Sequence, residues 1–272
     1  MRPILALLLL FTAALTHAQT PNIAGQINGQ FPEPAPLDFA DHTGYTSLFD
    51  GRTLKDWDGR PGVWSVEDPG PNGVIVGLSS AEHNAGNSFL VYKAIAAHDF
   101  DLKLEVKVEL GGGSGIQYRS STGIPPGRVA GKGEPPLDPR WVMIGPQADF
   151  WYPVGEKQKL YSGQLYSQNT SRGIIAWRGQ VVQTLPNHPP TLVGAIGDRA
   201  QLGIFVHDRE WNQYEIIARG PVIMHILNGQ LMAVLIDDDP KGSNNVSGLI
   251  GLQIEGIPCK VSFRNLWLKK LN

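Results

Sequence analysis

Residues Asn212–Lys269 read NQYEIIARGPVIMHILNGQLMAVLIDDDPKGSNNVSGLIGLQIEGIPCKVSFRNLWLK. Apolar and polar residues alternate along short runs that stop at Gly, Asn, Asp or Pro, which is the period-two pattern of half-buried antiparallel strands. The stretch parses as strand, turn, strand, loop, strand, turn, strand, and almost none of it favours helix. His225, Asn228, Gln253 and Glu255 fall on the face expected to stay unburied. They are also the residue types from which a sugar-binding surface is built.

The same pattern extends toward the N-terminus. After the turn-rich TSLFDGRTLKDW come GVWSVED, GVIVGLS, SFLVYKA, FDLKLEVKVEL, SGIQYRS, WVMIGPQADF, KLYSGQLYS and GIIAWRGQVV. About a dozen strands separated by turn residues predict an all-β protein of two packed antiparallel sheets. The 32 glycines and 21 prolines supply turns and long loops and form no low-complexity repeat. One segment, Ser121–Arg140, is too long for a hairpin, and loops of that length are usually functional or mobile. Leu185–Arg199 is a second long connection.

The N-terminus has its own logic. Arg2, the apolar run Ile4–Leu15 and Thr16-His17-Ala18 form a signal segment over residues 1–18, too short for a membrane span. Residues 19–43 read as an extended polar arm and 44–272 as one domain. The protein is therefore expected to be secreted or periplasmic. Its single cysteine, Cys259, rules out an intramolecular disulfide and reads as a small core residue within its strand. A net charge of −2 without a basic block argues against nucleic acid as a partner.

Strand parity selects candidate functional residues. Gln117 and Arg119 share one face of their strand, Gln147 and Asp149 share a face of the next, and Gln164 and Tyr166 share a third. Amide, guanidinium, carboxylate and phenol groups on one surface suit sugar hydroxyls, with an aromatic face for the ring. Of the seven tryptophans, most are expected in the core, and Trp151, beside Asp149, stands out as a stacking platform. Asp237-Asp238-Asp239-Pro240 reads as a solvated turn, because it lacks the spaced oxygen ligands of a calcium loop. There is no G-x-S-x-G elbow, no H-E-x-x-H and no Cys/His metal spacing. Glu105 and Glu109 share a face but lie about 13 Å apart along a strand, too far for a retaining glycosidase pair.

Taken jointly, LFDGRTLKDW, DFDLKLEVKV with GGGSGIQYRS, IGPQADF, SGQLYS, RGIIAWRGQ, EWNQYEIIARG, MHILNGQLMAVLIDDDP and GLIGLQIEGIPCKVSFRNLWLK resemble the 3-keto-disaccharide hydrolase family across about Thr46–Lys270. The resemblance implies a concanavalin A-like jelly-roll sandwich and a sugar or glycoside substrate oxidised at C3. The ketone acidifies the C2–H, so a base can start β-elimination of the C1 substituent, and hydration of the enone completes a net hydrolysis. Such a site needs a base, a group polarising the ketone and an acid for the leaving group. Among residues matching the family motifs, Asp149, Glu210 and His225 are the base or acid candidates. Gln117, Arg119, Gln147, Tyr166 and Asn228 are the candidates for orienting substrate or polarising the carbonyl. A divalent metal, used by some members, stays open as a cofactor. The resemblance breaks at Glu255, where the family commonly has histidine and this chain reads LQIE. If that histidine is essential in relatives, this chain binds sugar without cleaving it or acts with altered specificity.

Overall fold

The computed structural model describes residues 37–152, 155, 160–240 and 244–271. The expected signal segment, and residues 19–36 of the expected arm, lie outside the described residues. The chain divides into two units, Met1–Asp38 and Phe39–Asn272, and every strand among the described residues belongs to the second. In chain order these are β1 (Thr46–Ser47), β2 (Trp57–Asp58), β3 (Trp64–Glu67), β4 (Val74–Ser79), β5 (Ser88–Ala97), β6 (Phe100–Leu110), β7 (Gly113–Thr122) and β8 (Met143–Trp151). They continue with β9 (Leu165–Gln168), β10 (Gly173–Ala176), β11 (Gln180–Thr184), β12 (Thr191–Ala195), β13 (Asn212–Arg219), β14 (Val222–Leu227), β15 (Gln230–Asp237), β16 (Gly248–Ile254) and β17 (Cys259–Lys270).

The strands form two sheets. The larger is ten-stranded, ordered β12-β11-β15-β14-β13-β6-β17-β4-β3 with β1 on β17; the smaller is seven-stranded, ordered β10-β9-β8-β7-β16-β5-β2. The architecture is an all-β jelly-roll sandwich, antiparallel apart from β11 beside β15. Strand β6 shows why the sequence folds this way. Phe100, Leu102, Leu104, Val106 and Val108 point inward and are buried, while the intervening charged residues face outward. Outside, Glu105 pairs with Arg264 at 2.9 Å and Glu109 with Lys107 at 3.1 Å, which makes both glutamates parts of surface ion pairs.

Several readings of strand boundaries change, among them the Leu185–Arg199 connection, which contains β12. The Asn212–Lys269 stretch holds five strands rather than four. Asn228-Gly229 closes a two-residue hairpin turn with positive φ at both positions, folding VIMHILNGQLMAVLID into β14 and β15. The run GIIAWRGQVV is likewise two strands, β10 and β11, placed in different sheets. Cys259 is fully buried, and burial pushes its thiol up to about 12, as suits a core residue. Among the described residues no helix is long and apolar enough to cross a membrane.

Candidate active site

Three adjacent strands of the seven-stranded sheet build the site, together with the loops around them. Gln117 of β7 lies opposite Gln147 of β8, which lies opposite Tyr166 of β9, and Gly251 of β16 flanks Gln117 on the other side. Alternation sends Ile116, Ala148, Leu165, Leu252 and Ile254 into the core. The residues between them, Gln147, Asp149, Tyr166, Gln253 and Glu255, face the opposite way. A cleft of about 380 Å³ opens there, lined by Asp149, Glu255, Arg128, Trp151, Tyr161, Tyr166 and several amide side chains. Tyr161 meets Trp151 edge-on, ring centroids 5.4 Å apart, so the two rings make a continuous aromatic wall.

Asp149 sits at the floor and is held on both oxygens. Gln147 Nε2 donates to Oδ1 at 2.7 Å, and Gln164 Nε2 donates to Oδ2 at 2.6 Å. Behind them runs a chain of fixed polarity. Ser120 Oγ donates to Gln117 Oε1 at 2.6 Å, and Gln117 Nε2 donates to Gln147 Oε1 at 2.7 Å. The second hydrogen of Gln147 Nε2 goes to Gln253 Oε1 at 2.7 Å, and Gln253 Nε2 donates to Asn87 Oδ1 at 3.1 Å. Each amide orientation is fixed by the next, so the donors that reach Asp149 are preorganised. Gly115 is part of this arrangement, because a Cβ there would sit 2.3 Å from Gln147 Nε2.

Burial sets the electrostatics. Removal from water raises the Asp149 carboxyl to about 7, with the Glu255 charge adding to the rise and the two glutamine hydrogen bonds opposing it. Burial also raises Glu255, helped by the Glu134 carboxylate and opposed by Arg128 and Asn87. The Tyr166 phenol is raised by burial and by both cleft carboxylates. A carboxyl that exchanges its proton near neutrality, beside a second one inclined to hold its proton, suits paired base and acid work.

Four predicted site residues therefore converge in the cleft: Gln147, Asp149, Tyr166 and Glu255. Gln117 supports them from behind through Gln147. Trp151 is on the wall, as its place beside Asp149 suggested. Four others are not in the cleft. Arg119 fails the parity reading because β7 carries an extra residue between Gln117 and Ser121, and Arg119 itself takes φ 47°. Its buried guanidinium donates instead to the carbonyls of His98, Gly220 and Asn244 and to Asp99.

His225 lies in the core rather than on a polar face, since the inward positions of β14 are Ile223, His225 and Leu227. Its Nδ1–H donates to the Gln164 carbonyl at 3.2 Å, which leaves Nε2 to accept from the Tyr118 hydroxyl at 2.7 Å. Burial lowers this imidazole to about 4, so it is neutral and structural. Asn228 closes the β14–β15 turn, donating to the Phe205 carbonyl at 2.6 Å and to Asn212 Oδ1 at 2.8 Å. Glu210 is exposed in the turn before β13, where its carbonyl accepts from Asn212. Asp237 is not part of a solvated turn either; it is buried and paired with Arg172 at 3.0 Å.

Reasoning from strands missed Asn87, Arg128, Tyr161, Gln168 and Asn169, which reach the cleft from loops and strand ends. The length of the Ser121–Arg140 loop was the available signal for Arg128. A divalent metal does not find a donor set. Among the described residues no three His, Cys, Asp or Glu gather to hold one, and both Asp149 oxygens already accept amide hydrogens.

Fold and cleft together define an all-β jelly-roll sandwich with a polar, aromatic-walled cleft on its seven-stranded sheet. Residues 44–269 match the 3-keto-alpha-glucoside-1,2-lyase-like domain family, and the chain belongs to it. The 3-keto-disaccharide hydrolase of Bacteroides thetaiotaomicron is 35% identical over 85 residues, which cover 29% of this chain and 28% of that protein. A solved structure from Parabacteroides distasonis, provisionally assigned as a glycosyl hydrolase, is 20% identical with a TM-score of 0.51, covering 84% of this chain and 99% of that one. A Bacillus subtilis protein of unknown function with a galectin-like fold is 13% identical with a TM-score of 0.50, covering 80% and 90%. At such identities these two likenesses are of fold alone.

Proposed function

We propose that the protein is an exported enzyme that cleaves 3-keto-glycosides or 3-keto-disaccharides by elimination followed by hydration. The observation that carries this reading is the buried Asp149 carboxyl, raised to about 7 and held by two amide donors at the floor of an aromatic-walled cleft. Asp149 takes the proton from C2, and the electron pair enters the C3 carbonyl as an enolate. The enolate then reforms the ketone and expels the C1 oxygen, leaving a C1–C2 double bond. Glu255 protonates the departing oxygen. Water adds at C1 and gives its proton to the Glu255 carboxylate, while the proton held on Asp149 returns to C2, which restores both groups and completes a net hydrolysis.

The family membership supports elimination across C1 and C2. The replacement of the family's common histidine by Glu255 keeps a proton-bearing group at that place, so the departure is compatible with catalysis. The aromatic wall suits the apolar face of a sugar ring. Export is supported by the signal features at Arg2 and Ile4–Leu15.

The test is direct. A 3-keto-disaccharide is expected to be split while its unoxidised parent stays intact, and Asp149→Asn is expected to lower the rate by about 10²–10⁴-fold. Binding of both sugars with cleavage of neither would reject the enzyme in favour of a carbohydrate-binding module.

A further inference from the structure

The elimination reading requires a group to carry the negative charge that appears on the C3 oxygen; the strands offer the neutral Tyr166 phenol there but no cation. Both hydrogens of Gln147 Nε2 are committed, one to Asp149 and one to Gln253. Gln164 spends a hydrogen on Asp149, and Asn169 donates to the Met143 carbonyl at 2.8 Å. Arg119, the guanidinium singled out in the sequence, is committed elsewhere.

Arg128 is different. It is the only Lys or Arg among the described residues lining the cleft. Its Nε is buried and has no hydrogen-bond partner among the described residues. The backbone that carries it is pinned: the Arg128 N–H donates to the Pro125 carbonyl at 3.1 Å, with Pro126 and Gly127 at the centre of the turn and φ 78° at Gly127. Proline followed by a left-handed glycine is the signature of a type II turn, which holds the fourth residue at a set position. Arg128 also acts electrostatically on Glu255 and Tyr166, so its charge is felt across the cleft. A second unsatisfied group lies in the same cleft. Gln164 Oε1 is buried without a donor.

Building on the function proposed above, we infer that Arg128 is a catalytic residue that binds the C3 oxygen of the 3-keto sugar and stabilises the enolate, while Gln164 Oε1 accepts from a neighbouring hydroxyl. A guanidinium donor and a buried acceptor together fit an α-hydroxyketone, the unit that a 3-keto sugar presents at C2–C3 and C3–C4. A cation in a desolvated site acts most strongly where charge develops, and here that is the C3 oxygen.

The test separates proton removal from bond cleavage. A 3-keto monosaccharide in deuterated water, followed by proton NMR, reports C2–H exchange without needing a glycosidic leaving group. The wild-type protein is expected to catalyse exchange, and Arg128→Gln is expected to slow it by about 10²–10³-fold, the loss seen on removing one oxyanion donor. An unchanged exchange rate in R128Q beside an active wild type overturns the role of Arg128 and leaves the proposed function standing. A wild type inert in both exchange and cleavage overturns the proposed function and this role with it. If R128Q does not fold, calorimetry on the wild-type protein asks the same question. A sugar bearing a carboxylate at C3 should bind at least about tenfold more tightly than its carboxamide, and equal affinities overturn the inference.

Discussion

Replacing Gln164 with methionine removes one of the two amide donors that hold the Asp149 carboxylate while keeping the length of the side chain. The direction follows from what the bond does. A hydrogen bond to the charged form lowers a carboxyl pKa, so its loss must raise it. The donor is 2.6 Å from Oδ2 in a fully desolvated site, where burial already raises Asp149 to about 7. A hydrogen bond to a charged group is worth about 1.5–3 kcal/mol, and about 1.4 kcal/mol corresponds to one pH unit, so the expected rise is roughly one to two pH units. Because Asp149 acts as a base, kcat/KM should climb through this pKa, and the acidic limb in Gln164→Met should move from about 7 to roughly 8–9. The assay is a pH–rate profile on a 3-keto-disaccharide, with carboxyl-carbon NMR of labelled aspartate as an independent reading. The backbone carbonyl of Gln164, which accepts from His225, is untouched by the change, so misfolding is not the expected cause of any shift. A limb that stays in place, or moves toward acid, would refute Asp149 as the base.

Asp149 also links stability to pH. Its folded carboxyl keeps a proton that the unfolded one releases near 3.8, so wild-type stability should fall as pH rises from about 4 to about 7. Urea unfolding of Asp149→Asn at pH 4.5 and 7.5 should show a smaller fall, and an identical one would contradict the raised pKa. Arg119→Met and His225→Ala should each destabilise by about 2–5 kcal/mol in denaturant titrations, through orphaned carbonyls in one case and a cavity with two unpaired partners in the other. Glu255→Gln should slow cleavage of a 3-keto-disaccharide by about 10²–10⁴-fold yet leave a 3-keto-glycoside with an acidic phenol leaving group nearly unaffected, since such a phenol departs without a proton. Equal losses on both substrates would remove Glu255 from the role of acid.

The sandwich was readable because its strands bury one face, and alternation in a run such as FDLKLEVKVEL reports that directly. Asp149, Gln147 and Tyr166 were readable for the same reason, since β8 and β9 keep regular register through them. The errors have distinct physical causes. Arg119 was misplaced by a single inserted residue, because one bulge transfers every later side chain to the other face and no residue type announces it. In β14 both faces are apolar, so hydrophobicity could not say whether His225 points in or out. What settles it are partners 107 and 61 positions away, Tyr118 and the Gln164 carbonyl. Arg128 belongs to a third kind of case. Its turn, Pro-Pro-Gly-Arg, is locally legible, but which surface the turn overhangs depends on the packing of the whole Ser121–Arg140 loop. Alternation therefore identifies the groups that make the floor of this cleft, and the cation that completes its chemistry arrives on a loop, where alternation does not apply.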